Sequence, residues 1–396
     1  MKLALTLSTT LLCLNGFSQA WLQRADLSGN ARWGSCGFSI GDKGYLCTGT
    51  DGQVNFADLW EWDKASDSWL EKTPFPGGAR REAAAFSIND IGFVGLGRSG
   101  PGTPGLTDLW AYDPATDQWS QRTSLPAEGR SLPGVFVLNG KAYVCGGNPL
   151  SPPYLNDLWE YDPLLDTWQQ RSDLPATGRS AAIAFAAYGK GYVGSGNDDS
   201  ANFSSKDFWE WDPTLDAWTQ RADVPGSERR TGCAFVINGT PYAGGGWDGT
   251  DYLVDFHAYD ASTNTWTPIP NYGGAGAYTP VAYAIGNKGY VGTGGTSGGS
   301  SDQYWEFDPG STIGIQDLPE MYAITPFLCD GQINLNGRST TAVISYAIFD
   351  GSGRIVSSGS LQQAVIKLPL LPAAAYVLQM VGTNGISRPW PFVIAN

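Results

Sequence analysis

His257 is the single histidine in 396 residues. That removes any chemistry needing two imidazoles, and it leaves a serine-type triad with one available base and no nucleophile motif beside it. The groups that could still do work are guanidiniums, carboxylates and aromatic rings. Arginines recur at Arg32, Arg80, Arg130, Arg179 and Arg229. A ring of guanidinium groups would suit a carboxylate or sulfate ligand. The structural alternative is that each arginine pairs with an aspartate of its own repeat: Asp58, Asp108, Asp157, Asp207 and Asp255. Of the 16 tryptophans, all but Trp33, Trp247 and Trp390 fall in repeating slots and read as core. Trp33 and Trp247 could stack on a sugar ring, with Asp198, Asp199, Asp248 and Asp251 accepting hydrogen bonds from its hydroxyls. Paired carboxylates could instead act on a sugar catalytically, and their separations are not given by sequence.

The elements that must position these residues come from self-comparison. The segment Asp157-Leu158-Trp159-Glu160-Tyr161-Asp162-Pro163, followed by Asp166-Thr167-Trp168, recurs in five more versions about 50 residues apart. Trp60, Trp110, Trp209 and Trp305 occupy the slot of Trp159, and His257 fills it in the variant copy, where it reads as a tolerated substitution. Each unit parses as four strands, a to d. Strand a follows the arginine, b ends on a Gly-Gly or its equivalent, c is the Asp-Leu-Trp segment, and d begins at the second tryptophan. Asn139-Gly140 and Asn238-Gly239 fit two-residue a–b hairpins, which need positive φ. The Asp-Pro segments fit c–d turns. The a–b and c–d turns are short and uniform, whereas the b–c loops vary most and are the natural place for recognition.

The spacing and the Asp-Leu-Trp and Gly-Gly signatures resemble the kelch repeat over residues 21–310. The resemblance implies an all-β fold, a six-bladed kelch-type β-propeller. The sixth c strand, ending at Asp308-Pro309, has no tryptophan after it, while Trp21 has no c strand before it. The N-terminal strand is therefore expected to complete blade six and close the ring. Kelch propellers include copper radical oxidases resembling galactose oxidase, but that centre needs two imidazoles and cannot be built here. A binding or interaction role is the expectation, with a glycan or surface protein recognised on the face of the b–c and d–a loops. A carboxylate-dependent lyase, isomerase or glycosidase on that face is the alternative, and a structural repeat of the envelope is the third class.

The two ends read differently. Met1-Lys2, the apolar stretch to Leu14 and Ser18-Gln19-Ala20 have the pattern of a signal peptide over residues 1–20. Residues 311–321 read as a linker and 322–396 as a small β-sandwich. Gly353-Arg354, the segment Leu371-Pro372 through Tyr376 and a closing Phe392-Val393-Ile394 resemble the C-terminal sorting domain of type IX secretion cargo. Thr325-Pro326-Phe327 and Ala375 depart from that pattern. The resemblance implies the secretion machinery as a partner and an extracellular or cell-surface location, and an appended binding module is the alternative. A formal charge of −14 disfavours nucleic acid and anionic lipid as partners. No membrane span, metal or cofactor is expected. The cysteines are too few for a disulfide framework, although a Cys36 to Cys47 bridge could be made across one hairpin.

Overall fold

The computed structural model describes residues 20–150, 152–199 and 204–310, together with seven strands between Thr325 and Ile394. The signal-peptide residues 1–19, the linker, and Gly353, Arg354, Leu371 and Pro372 of the tail lie outside the described residues. By contacts the chain divides into two compact units between Ser311 and Thr312.

Each repeat folds as an antiparallel meander because its hydrophobic alternation has period two and its turns have the required backbone. Asn139 and Gly140 take φ of 53° and 73°, and Asn238 and Gly239 take 49° and 82°, which is the type I′ geometry suited to a right-twisted hairpin. The innermost strands are Cys36–Ile40, Ala84–Ile88, Gly134–Leu138, Ile183–Ala187, Cys233–Ile237 and Val281–Ile285. Their alternate residues are buried between blades, as Ala84, Phe86 and Ile88 are. Helices are absent among the described residues. The ring closes at the outer strand Ala20–Gln23, which pairs antiparallel with Gly299–Asp308 and sets Trp21 opposite Phe307. Blade six therefore combines both ends of the propeller, as the count of strands implied.

Three repeated devices fasten blade to blade. The indole N–H of every d-strand tryptophan donates to a carbonyl of the preceding blade. These bonds run from Trp21 to Pro270, Trp69 to Ala25, Trp119 to Thr73, Trp168 to Thr123, Trp218 to Ser172 and Trp266 to Ala222, over 2.8–3.0 Å. Carboxylates of the c–d turns reach the same neighbour: Asp117 accepts the N–H of Thr73, and Asp166 that of Thr123. Between the innermost layers, an aromatic ring of one blade lies against a glycine of the next. A Cβ at Gly92 would stand 2.3 Å from the Phe38 ring, and one at Gly191 2.3 Å from Phe136. These slots hold glycine because any side chain would push the blades apart.

The second unit forms two antiparallel sheets, one of three strands and one of four. In the larger, Val343–Asp350 pairs with Ile355–Ser360 on one side and Ala374–Gly382 on the other, and Ser387–Ile394 completes it. Thr325–Cys329 belongs to the smaller sheet. In the propeller, Cys36 and Cys47 face each other across their hairpin, and both are free, as are Cys145 and Cys233. The bridge allowed by sequence is not made. Burial pushes the thiols of Cys145 and Cys233 up to about 12, so they serve as small apolar packing groups.

Candidate functional site

The five repeated arginines are occupied. Arg32, Arg80, Arg130, Arg179 and Arg229 each donate two N–H bonds to both oxygens of Asp58, Asp108, Asp157, Asp207 and Asp255 respectively, over 2.5–2.9 Å. Each also caps a carbonyl at the end of its own b strand, as Arg130 does Gly146 at 3.0 Å. The same aspartate accepts the indole N–H of the tryptophan two residues on, at 2.7 Å for Trp60, Trp159 and Trp209. This is why Asp-x-Trp repeats as a unit. All five guanidiniums are buried and none is offered to a ligand, so the ring of anion-binding groups gives way to the pairing alternative. His257 stands in the tryptophan slot of blade five with Nδ1 4.0 Å from Asp255, and burial lowers its pKa.

The residue after each arginine does not repeat, and there the blades differ. The six positions are Trp33, Arg81, Ser131, Ser180, Arg230 and Tyr278. Each sits across a bridge from the residue that follows its blade's b-strand glycine: Thr50, Arg98, Asn148, Asn197, Trp247 and Gly295. The bridges are reciprocal hydrogen bonds, for example Trp33 with Thr50 at 2.9 Å both ways and Arg81 with Arg98 at 3.0 Å both ways. Eleven side chains and Gly295 are thus mounted on rigid backbone.

Immediately after these positions the chain takes a left-handed residue in every blade: Gly34, Glu82, Leu132, Ala181, Thr231 and Thr279, with φ of 51–63°. This conformation is costly for a residue with a Cβ. Hydrogen bonds from blade to blade hold it. Glu82 N–H donates to Gly34 O, Leu132 to Glu82, Ala181 to Leu132 and Thr231 to Ala181, over 2.6–3.0 Å, while Gly34 N–H donates to the Thr279 hydroxyl at 2.8 Å. The result is a collar around the axis. Below it runs a channel lined one residue per blade by Gly37, Ala85, Val135, Ala184, Ala234 and Ala282, with a cavity of about 190 Å³. Ligand pockets for small molecules start at roughly 300 Å³. The channel is too tight to be one, so the open mouth above the collar is the candidate site.

Two thirds of that mouth is an arc of rings and guanidiniums running over blades five, six, one and two. The Arg230 guanidinium lies 4.3 Å over the Trp247 ring, and Trp247 meets Tyr278 edge to face at 6.3 Å. Tyr278 meets Trp33 at 6.0 Å, and the Arg81 guanidinium lies 4.9 Å over Trp33. The structure therefore brings together the two tryptophans singled out in the sequence and adds Tyr278, Arg81 and Arg230. The remaining third, blades three and four, is small and neutral, with Ser131, Asn148, Ser180 and Asn197. Glu82 is buried under the arc and is gripped by Arg98, with Nε–Oε2 at 2.6 Å and Nη2–Oε1 at 2.8 Å. Burial, then the charge of Glu82, raises the Tyr278 phenol, so it stays a neutral donor. Asn197 accepts from Arg230 at 2.6 Å.

The four candidate aspartates do not join this arc. Asp248 caps its own loop by accepting the N–H groups of Thr250 and Asp251, and these bonds, that of Asp251 first, hold its carboxyl below the usual range. Asp251 is exposed. Asp199, also exposed, accepts the Tyr154 N–H at 2.9 Å, and buried Asp198 pairs through its backbone with Arg179. Ring stacking survives from the expectation, but the charged groups beside the rings are cations. Among the described residues no cluster of His, Cys, Asp and Glu could hold a metal ion. A comparison of the six copies column by column would have found Arg81, Arg230 and Tyr278, because theirs is the varying column beside an almost invariant one.

Comparisons with known proteins agree with this architecture. The kelch motif matches residues 129–175 and 229–271, within blades three and five. The chain is a six-bladed β-propeller with kelch motifs in two of its blades. The solved structure titled "Structure of YjhT" superposes on the propeller with a TM-score of 0.61 at 20% identity, covering 71% of this chain and 96% of that one, a likeness of fold. No curated protein matches the sequence. Kelch motifs on a propeller support a protein-binding role, and the mouth is the part of this kelch propeller where binding groups accumulate.

Proposed function

We propose that this kelch propeller is an exported binding protein that seats a glycan, or the glycan-bearing part of a surface protein, on the mouth formed by its d–a and b–c loops. The observation that carries the reading is the break in the repeat. One column of residues is nearly the same in six blades and is consumed by structure, and the next column holds four residue types over the six blades and supplies the arc from Arg230 to Arg81. Rings held edge to face leave faces and rims for stacking, and guanidiniums fixed over them lose little entropy on binding. The carboxylate within the mouth, Glu82, is already bound twice by Arg98, which suits positioning better than acid–base work. A glycan and surface-protein binding screen on the full chain, repeated with Trp33→Ala and Trp247→Ala, tests the site. Loss of binding by at least tenfold in either variant is expected, and a ligand indifferent to both places recognition elsewhere.

The export half of the proposal rests on the leader-like residues 1–20 and the sorting-domain pattern of the tail. Fusion of residues 320–396 to a passenger is expected to carry it outside a cell with type IX secretion. Normal release of a chain truncated after Pro319 would make the tail a binding module instead.

A further inference from the structure

We infer that the mouth selects a sugar acid: a carboxylate carried on a sugar ring, with the carboxylate at Arg81 and the ring against Trp33 and Tyr278. This rests on the binding site proposed above and adds the charge and class of its ligand.

The chain as a whole is strongly acidic, with 38 acidic against 24 basic residues. The mouth reverses that sign, since Arg81, Arg98 and Arg230 face one carboxylate, Glu82. A concentration of cations at one loop cluster of an anionic protein attracts an anion to that spot while the rest of the surface repels it.

Within the cluster Arg81 is the group left over. It is 9% exposed and meets Glu82 only at 3.8 Å; its Nε has no hydrogen-bond partner, as is also true of Arg98, Arg179, Arg229 and Arg230, but those four hold acceptors through their Nη groups. Arg98 is taken by Glu82, and Arg230 already holds Asn197. A buried guanidinium is a planar fork of donors that matches a carboxylate with two parallel bonds. The stack on Trp33 at 4.9 Å fixes where that fork points.

Other unsatisfied atoms sit on the facing side. Ser131 Oγ, Ser180 Oγ and Asn148 Oδ1 are buried with no partner. They come from blades three and four, across the ring from Tyr278 and Trp33. Hydroxyl and amide groups there, aromatic faces opposite and a guanidinium at one end are the complement of a polyhydroxylated ring bearing one carboxylate. A neutral sugar would leave Arg81 desolvated and unpaired, and a flat aromatic acid would leave the serine side unused.

The test is calorimetric titration of the full chain with the methyl glycosides of glucuronate and galacturonate and with short oligouronides. Methyl glucoside, methyl galactoside and a 6-sulfated glucoside serve as comparators, and Arg81→Gln, Arg81→Lys and Trp33→Ala as variants. A uronide is expected to bind at least tenfold tighter than its neutral parent and to weaken as salt rises. Arg81→Gln should lose at least tenfold and Arg81→Lys should recover part of it. The thermal midpoint of Arg81→Gln should be nearly unchanged, because in the free protein the guanidinium makes only the 3.8 Å contact with Glu82 and the stack on Trp33; a structural arginine would lower it.

A neutral sugar that binds as tightly, ignores Arg81→Gln and is lost in Trp33→Ala would overturn the sugar-acid inference while leaving the mouth as the site. Binding that ignores Arg81, Trp33 and Trp247 together would overturn both. Tighter binding of the sulfated glucoside than of any uronide, or no uronide binding at all, would also overturn the assignment.

Discussion

Arg80 and Arg81 are neighbours in sequence, carry the same side chain and are both buried, yet they stand in opposite conditions. Arg80 donates to both oxygens of Asp108, to the carbonyl of Leu96 at 2.8 Å and to Gly77, and it lies over the Phe75 ring. Arg81 has a tryptophan beneath it and no hydrogen bond from its Nε. The first belongs to a set repeated around the ring, the second to a set that changes around it, with tryptophan, arginine, serine and tyrosine among the six blades. A repeat protein separates its two tasks this way. What recurs is consumed by the fold, and what fails to recur at an equally rigid position is available for recognition.

The repeated side of the comparison breaks hardest at the seam. Removing residues 20–24 takes away the strand opposite Trp305 to Asp308 and the indole of Trp21, which packs among Phe235, Phe256, Tyr272 and Phe307 and donates to Pro270. Trp21 is partly buried, so loss of its packing costs less than the roughly 3–5 kcal/mol of a fully buried tryptophan, but two sheet edges are opened as well. The expected outcome is loss of cooperative unfolding in circular dichroism and aggregation on concentration. An unchanged thermal midpoint would show that blade six does not need its outer strand.

Next in size is a direct comparison of the neighbouring arginines. Asp108→Ala strips Arg80 of its partner and leaves a buried guanidinium, so a loss of about 3 kcal/mol is expected in denaturant unfolding. Arg81→Gln is expected to change stability by less than about 0.5 kcal/mol, as substitutions outside the named destabilising mechanisms do. Equal losses would erase the distinction between the two columns.

How much of this was legible in the sequence follows from the same distinction. The blade count, the hairpin turns and the closure by Trp21 could be read because each rests on a pattern of six, and Asp-x-Trp marked the arginine partner before any geometry. Trp33 and Trp247 could be read because they fall outside the slots. Arg81 and Arg230 could not be told from loop charges, because their stacks on Trp33 and Trp247 and the burial of Arg81 are properties of packing. The loop aspartates misled for a local reason: Asp248 satisfies backbone donors of its own turn, as aspartates in turns commonly do. Glu82 was hidden because its left-handed backbone and its grip by Arg98 exist only once the blades meet.

Acid should act on the repeated side alone. At Asp207 burial works to raise the pKa, but the hydrogen bonds and charge of Arg179 outweigh it and hold the group below its ordinary value. At Asp117 and Asp166 burial is likewise outweighed, by bonds from Tyr112 and Tyr161 and from the preceding blade's N–H groups. A carboxyl with a depressed folded pKa contributes stability that is present above its unfolded value of about 3.9 and lost as pH falls through the folded value. The thermal midpoint should hold from about pH 7 to pH 5 and fall below about pH 4. Asp166→Asn should flatten that fall. A midpoint that drops between pH 7 and pH 5 would point to groups other than these carboxylates.

The smallest effect sharpens the unrepeated side. Ser131 Oγ and Ser180 Oγ are buried and unpartnered in the free protein, so each hydroxyl is carried at a desolvation cost that its own blade does not return. Replacement by alanine removes that cost with a loss of little volume. Stability is therefore expected to stay level or rise by up to about 1 kcal/mol, the opposite sign to truncation of a hydroxyl that serves the fold. Thr279 supplies the internal control, since its hydroxyl accepts the Gly34 N–H at 2.8 Å and joins blade six to blade one in the collar. Thr279→Val leaves that buried donor unpaired and should cost about 1–2 kcal/mol. If ligand affinity falls in Ser131→Ala while stability does not, and stability falls in Thr279→Val, then hydroxyls one position apart in the repeat divide between mouth and collar as the two arginines divide between binding and fold. Destabilisation by Ser131→Ala equal to that by Thr279→Val would place the serine in the scaffold and shrink the mouth to its aromatic arc.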